Sequence, residues 1–491
     1  MKNILQNAAV ILLATIFACA DHFPADIVQG KVPIAKACCN ARVFITDTVT
    51  LDASESEALD SVYYVWTPPN NYPMDIVITQ KSILKFLPKK KGTFIFTLTV
   101  YSGSLSSKPS QVTITIVGAQ FIVTRDQNRF TGDSVFNSIQ KAVDAAQVGD
   151  TILIDKGGYH ENVTIRGQKK NGLCLIGLDK KQSIIQGDLI PFTSTVLIDS
   201  VSRLSLQHLR ITAAQPCGAC GGIFADSCNQ LSLTNLIIDS NNTEGIRFVD
   251  CQNVVIDSSL IARNMYNGIR LWRSQVSINN CTFENNGLLD GVINCDTITH
   301  KCDTMHVGAV RVDSYKSIIT LTLDSFVNTN QGIYIGPFTG ASITMENNYF
   351  VNVKGYCLWC DGTTNADVFS QNDFMRSFST PIWCNGAKNI TIQNDVVKNA
   401  DTINAPDTHQ KGLDIGGCVK GTISDNKIQG FSKGVIIKDS PLNIFGNIFT
   451  NNLIGICVYH TDSLLLRPNF QSGSPNVFSP HIDTIVYDCV P

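Results

Sequence analysis

The sequence predicts an all-β chain in which a small antiparallel β-sandwich is followed by a long parallel β-solenoid, and three features of its 491 residues carry that reading. Short segments that start alike recur every 21 to 24 residues where no insertion intervenes, among them Gly245-Ile246-Arg247-Phe248, Gly268-Ile269-Arg270-Leu271, Gly412-Leu413-Asp414-Ile415 and Gly434-Val435-Ile436-Ile437. A fixed period of this size means stacked units. Within each segment apolar residues hold the second and fourth places, the alternation of a strand with one buried face. No helical stretch accompanies the unit, so a leucine-rich horseshoe is excluded. A second series, Asn348, Asn372, Asn394, Asn426 and Asn447, keeps step with the first. Asparagine tolerates the left-handed backbone of a sharp corner, and stacked copies can hydrogen-bond to one another from coil to coil.

Taken from the N-terminus, residues 1–20 read as an export signal, with Lys2 ahead of an apolar run from Ala8 to Phe17 that is too short to span a bilayer. Two processing sites compete. Ile16-Phe17-Ala18-Cys19 resembles a bacterial lipobox, which implies a lipid anchor on Cys19, attachment to a membrane and an outer-membrane or cell-surface location. Ala18-Cys19-Ala20 alternatively fits cleavage before Asp21 and a secreted or periplasmic protein.

Residues 21–117 differ in pattern from the rest. Val49-Thr50-Leu51-Asp52-Ala53-Ser54, Val62-Tyr63-Tyr64-Val65-Trp66, Phe94-Ile95-Phe96-Thr97-Leu98-Thr99-Val100 and Val112-Thr113-Ile114-Thr115-Ile116 are short alternating strands of a sandwich with Trp66 in its core. They resemble polycystic-kidney-disease (PKD) domains, which carry L-D-A-S, Y-x-W and a late F-x-L-T-V strand. Pro68-Pro69-Asn70 stands where that family has an Asp-Gly turn. The resemblance implies a spacer or weak binding module.

Residues 118–491 form the solenoid. Phe136-Asn137-Ser138-Ile139-Gln140-Lys141-Ala142-Val143-Asp144-Ala145-Ala146 has apolar residues at helical spacing, a short helix that would cover the exposed end of the stack. Thr151-Ile152-Leu153-Ile154 and Gly158-Tyr159 follow. This entry pattern, with the repeats, resembles the pectin-lyase-like right-handed parallel β-helix superfamily over residues 121–478. The resemblance implies that fold and a carbohydrate-related role. The superfamily spans lyases, polygalacturonases, methylesterases, phage tailspikes and non-enzymatic sugar binders. The N-T-D, G-H-G and R-I-K segments of polygalacturonases are absent, as are the W-I-D-H and R-x-P-x-x-R segments of classical pectate lyases.

Seventeen cysteines in an exported chain suggest disulfides, and Cys295–Cys302, bracketing a short loop, is the pair expected first. Cys228 and Cys251 fall one repeat apart, where either a bond or two thiols would fit. Cys217-x-x-Cys220 and Cys357-x-x-Cys360 lie in no redox or zinc context and read as packing or structural disulfides.

Net charge is −3 with 16% charged residues, which excludes a nucleic-acid-binding surface. A monomer is expected. Stacking puts one outward residue per repeat in a row, read from spacing as Arg247, Arg270, Val310, Tyr334, Leu358, Trp383, Asp414 and Ile436, with Trp272, Asn385 and Lys438 in a second row. Insertions at Gly287–Val307 and Asp401–Lys411 precede two of these strands and would wall the face into a groove. Trp272, Tyr334 and Trp383 offer flat faces to sugar rings, and Arg247 can hold a carboxylate. Cleavage beside a uronate by β-elimination needs a cation, for which Arg270 and Arg311 qualify, and a base, for which His306 and Lys438 qualify. Asp313 and Asp414 are the candidate Ca²⁺ ligands, a metal the resemblance makes common. The expected function is binding and β-eliminative cleavage of an acidic polysaccharide. A non-catalytic glycan-binding or adhesion protein is the first alternative. Glycoside hydrolysis through two of Asp313, Asp361 and Asp414 is the second.

Overall fold

A computed structural model describes residues 32–487 except 45–47, 59–61, 91, 118–120, 127–133, 188–192, 216–219, 289–292, 296–301, 305–306, 314–315, 337–339, 362–366, 400–409, 460–467, 471–473 and 479–482. The chain divides into two compact units, Met1–Gly118 and Ala119–Pro491.

The first unit is mostly antiparallel. Val62–Thr67 pairs with Gly92–Ser102, which pairs with Ser110–Val117, and Val49–Asp52 pairs separately with Ile83–Phe86. Alternation along Gly92–Ser102 turns Phe94, Phe96, Leu98 and Val100 inward around a fully buried Trp66, as expected.

In the second unit each coil supplies one strand to each of three parallel sheets, which among the described residues hold 14, 13 and 13 strands. One coil, for example, runs Val254–Asp257, Leu260–Ala262, Ile269–Trp272. The entry helix, Ile139–Ala145, buries Ile139, Ala142 and Val143 on the first coil. Its start is fixed by Glu161, whose carboxylate accepts from the backbone N–H of Ile139 at 2.8 Å and of Gln140 at 3.0 Å, so first-turn donors that a helix leaves open are satisfied. Tyr159 is buried and donates to the carbonyl of Val123 or Asp155, 3.1 Å from each. These are capping roles.

Inside the tube, identical side chains stack at the strand spacing. Phe283, Phe326, Phe350 and Phe374 lie in one column with ring centroids 4.8, 4.3 and 4.9 Å apart. The corner between the first and second sheets carries the asparagine ladder. Asn348 Nδ2 donates to Asn372 Oδ1 at 3.0 Å, and Asn426 Nδ2 to Asn447 Oδ1 at 2.9 Å. Two details differ from the sequence reading. The rung between Asn372 and Asn426 is Asp395, not Asn394. The left-handed residue is the one before each rung, as at Asn347, Gln371, Asn394 and Asp425. That division of labour has a physical reason: the bend needs positive φ, and the next side chain, turned inward, ties the bend to its neighbours. Asn372→Ala would leave the buried Met345 carbonyl and the Asn348 donors without their partner. We expect a loss of about 2 kcal/mol in urea denaturation.

Cys228, Cys251, Cys357 and Cys360 are buried, the packing alternative. Cys295 faces Cys302 across the antiparallel pair Ile293–Cys295 and Cys302–Thr304. Their side chains, like Cys19, lie outside the described residues.

Candidate functional site

The third sheet presents a row of outward side chains in continuous register: Arg247, Arg270, Arg311, Tyr334, Trp359, Trp383, Asp414 and Ile436. Spacing alone had placed Val310 and Leu358 in this row. Both are fully buried and face the core, so the outward members of their strands are Arg311 and Trp359. The slip is one residue, and in a strand one residue exchanges the faces. A second row, two places further along each strand, contains Asp361, Asn385, Gly416 and Lys438. Continuing the register of the preceding strands adds Trp272, Asp313 and Gly336 to it. Both insertions, 287–307 and 401–411, fall in sequence between a strand of the second sheet and a strand of the third, and the groove walls expected of them lie largely outside the described residues.

At the N-terminal end of the row the arginines are organised by two carboxylates. Asp313 receives Arg270 Nε on one oxygen at 2.5 Å and Arg311 Nε on the other at 2.6 Å. Arg270 Nη1 also lies 3.3 Å from Glu244 Oε1. Glu244 in turn accepts from the backbone N–H and the Nδ2 of Asn267 at 2.7 and 3.0 Å. Its side chain is 5% exposed and that of Asp313 only 9%. Burial pushes the Glu244 carboxyl up, against the pull of the Arg270 charge. Burial, and then the adjacent Arg270 charge, draw the Arg247 guanidinium down. Three stacked cations are tolerable because the buried carboxylates between them offset repulsion that low dielectric would otherwise enlarge.

The middle of the row is aromatic. The Arg311 guanidinium lies 5.0 Å from the Tyr334 ring centroid. Tyr334 meets Trp359, and Trp359 meets Trp383, edge to face at 5.4 Å in each case. These are favourable ring geometries that hold the side chains in fixed orientation. Tyr334 is only 8% exposed, so it supports its neighbours more than it offers a surface. Trp272, 39% exposed, stands at the arginine end instead, next to Asp313 in the second row and two strand steps from the aromatic strip.

The structure does not bring all the expected catalytic groups together. Lys438 is five strand steps from Asp313 along the second row, roughly 24 Å at about 4.8 Å per step. It cannot serve as base for a bond held at Arg270 and Arg311. His306 lies outside the described residues. Asp414 is four steps from Arg311 and is paired with Lys411 Nζ at 2.9 Å. Asp313 and Asp414 therefore do not share a calcium site, and both are engaged by cations. Among the described residues no group of three or more His, Cys, Asp or Glu side chains is placed to hold a metal.

Three parallel sheets stacked coil on coil, with a continuous row of outward side chains on the third, define a β-helix protein. The chain belongs to the right-handed β-helix family: the family described as "Right handed beta helix region" matches residues 150–309 and 221–397, together just over half of the sequence. Among solved structures it is similar to the catalytic unit of a thermostable GH87 alpha-1,3-glucanase from Streptomyces thermodiastaticus, over 90% of this chain and 89% of that one, at 11% identity and a TM-score of 0.47. It is similar to the A-module of the mannuronan C-5 epimerase AlgE6 from Azotobacter vinelandii over 74% and 95%, at 12% identity and a TM-score of 0.49. A family 28 exopolygalacturonase from Yersinia enterocolitica is similar over 94% and 98%, at 12% identity and a TM-score of 0.40. Likenesses this distant concern the fold. No curated protein matches the chain.

Proposed function

We propose that the protein binds an acidic polysaccharide along the outward row of the third sheet and cleaves it by β-elimination at the arginine end. The observation that carries this reading is the row itself, Arg247, Arg270, Arg311, Tyr334, Trp359 and Trp383 in one register. Guanidinium groups recognise carboxylates by paired hydrogen bonds, and ring faces take the apolar faces of sugars. A uronate held at Arg311 and Arg270 has its carboxylate charge offset, which stabilises the enolate-like intermediate formed when the neighbouring ring proton leaves. The electron pair forms the new carbon–carbon double bond, the bond to the glycosidic oxygen breaks, and that oxygen takes a proton. We assign the base to His306, four residues ahead of Val310 in the sequence. The proposed lipid anchor on Cys19 and the PKD-like unit would hold this groove at a cell surface.

Incubation with pectate, alginate and glycosaminoglycans tests the reading. Unsaturated products absorbing in the ultraviolet are expected with at least one, and Arg311→Ala should lower their rate by about a hundredfold. No such product from any of them would contradict it. Hydrolysis has one observation in its favour. Asp313 and Asp361 flank Gly336 in the second row, two strand steps or roughly 10 Å apart, close to the carboxyl separation of inverting glycosidases. New reducing ends without ultraviolet absorbance would select that reaction. Retention without turnover would select the adhesion reading.

A further inference from the structure

Beyond the aromatic stretch the same face dips into a concavity of about 510 Å³, at the end of the row farthest from the arginines. The local sequence explains the hollow. In the second row Gly416 stands between Asn385 and Lys438, so the row loses one side chain there. A Cβ at that place would meet Asn385 Oδ1 at 3.3 Å and the Lys438 Cβ at 3.9 Å. The lining also includes Ile436, apolar and 1% exposed. Trp383 lines it from one coil and Tyr459 from another three coils along. Two cations line it as well. Lys411 is already paired with Asp414 at 2.9 Å. Lys438 is exposed, and its ammonium has no hydrogen bond or ion pair among the described residues.

We propose that this concavity is a second subsite, separate from the arginine end, which takes one anionic sugar residue with its ring against Trp383 and its carboxylate or sulfate on Lys438. The proposal rests on the reading that the row binds an acidic polysaccharide, and it adds what that polysaccharide must look like. An aromatic wall with an apolar base suits a sugar ring, and an unpaired ammonium at the edge suits one negative substituent. The Lys411–Asp414 pair is neutral as a unit and leaves its remaining donor and acceptor capacity for hydroxyl groups. The distance between the two ends then selects the substrate. Five strand steps, roughly 24 Å, separate Asp313 from Lys438. Only a chain long enough to reach both ends, with negative charge at both, can use the whole row. The protein would therefore favour long polyanionic chains and attack them internally.

Isothermal titration of the full-length protein with a long polyuronate, a long sulfated glycan and a long neutral glycan tests this, using wild type, Lys438→Ala, Lys438→Arg and Arg311→Ala. Lys438→Ala should weaken one of the two anionic chains by about tenfold, the ordinary loss for a hydrogen bond to a charged group. Lys438→Arg should keep most of the affinity. Whichever chain responds identifies the anion. Since Lys438 is exposed and has no partner among the described residues, its removal should leave the unfolding midpoint unchanged, so a loss of binding would not be a loss of fold. If Arg311→Ala weakens binding while Lys438→Ala binds both anionic chains as wild type does, the subsite is wrong and the groove reading stands. An equal effect of Lys438→Ala on the neutral chain would overturn the anionic assignment. If no anionic glycan binds wild type, both proposals fall.

Discussion

Asp395→Asn should stabilise the protein strongly at pH 8 and hardly at all at pH 4. Asp395 replaces asparagine in the corner ladder. Its backbone N–H donates to Asn426 Oδ1 at 2.9 Å, and its Oδ1 accepts from the backbone N–H and the Nδ2 of Asn372 at 2.7 and 3.1 Å. The other oxygen, Oδ2, is buried and has no hydrogen-bond partner. In the neighbouring rungs the corresponding atom is Nδ2, a donor to a main-chain carbonyl: Met345 for Asn372 and Ile392 for Asn426. By analogy with those rungs a carboxylate oxygen in that place would face an acceptor, and a protonated one restores the donor. Burial accordingly pushes the Asp395 carboxyl up to about 7, against an unfolded value near 3.9. The folded state thus binds the proton more tightly. The stabilising proton is fully in place below about pH 4 and is lost as pH rises through about 7. A shift of this size amounts to about 4 kcal/mol above the upper limit. Urea denaturation of wild type and Asp395→Asn at pH 4, 6 and 8 should show midpoints that coincide at pH 4 and diverge upward. Parallel midpoints at all three would contradict the account. Asp324 is also pushed up to about 7 by burial. Both its oxygens accept backbone N–H groups, from Cys281 and Thr322, so an asparagine there would forfeit an acceptor and should give no comparable gain.

Asp313→Ala should cost about 3 to 5 kcal/mol and remove activity together. Its carboxylate is the common partner of Arg270 and Arg311, whose side chains are 29% and 22% exposed. Removing one member of a largely buried charge group leaves the others uncompensated, which is more damaging than replacing the whole group. The same carboxylate fixes the direction of both guanidinium groups, so the proposed uronate contacts lose their geometry as well. Thermal unfolding reads the first effect and the ultraviolet assay the second. Asp313→Asn, which keeps the shape and loses the charge, should fall between. An Asp313→Ala protein with wild-type stability would mean that these ion pairs contribute nothing net.

The fold was legible in the sequence because a solenoid repeats its physics: every coil needs the same inward apolar pair, the same corner and the same hydrogen-bonded rung. The site was legible only in part. Arg247, Arg270, Tyr334 and Asp414 fall in the outward row because each follows the glycine-led pattern, and Trp383 by repeat spacing, with Pro381 standing where the glycine would be. Trp359 was missed because its strand was aligned on the wrong residue. The comparison that finds it is Leu358-Trp359-Cys360-Asp361 against Ile382-Trp383-Cys384-Asn385, 24 residues later, since a repeated Trp-Cys pair cannot change faces. Asp313 was named as a metal ligand because the sequence shows a carboxylate but not its partners. Its two arginines arrive from its own strand and from the preceding coil, across an insertion that hides the register. The pairing of Lys411 with Asp414 and the hollow at Gly416 depend on side-chain directions, which periodicity does not encode. Lys438 was grouped with the arginines because a row read from sequence has no length until strand steps are counted.

A crystal structure of the protein with a long acidic oligosaccharide decides whether the third sheet is the binding face. Sugar rings should run across the strands of that sheet, with a carboxylate or sulfate at Arg270 and Arg311 and a ring against Trp383. A ligand seated on the first or second sheet, or on the N-terminal unit alone, would contradict it.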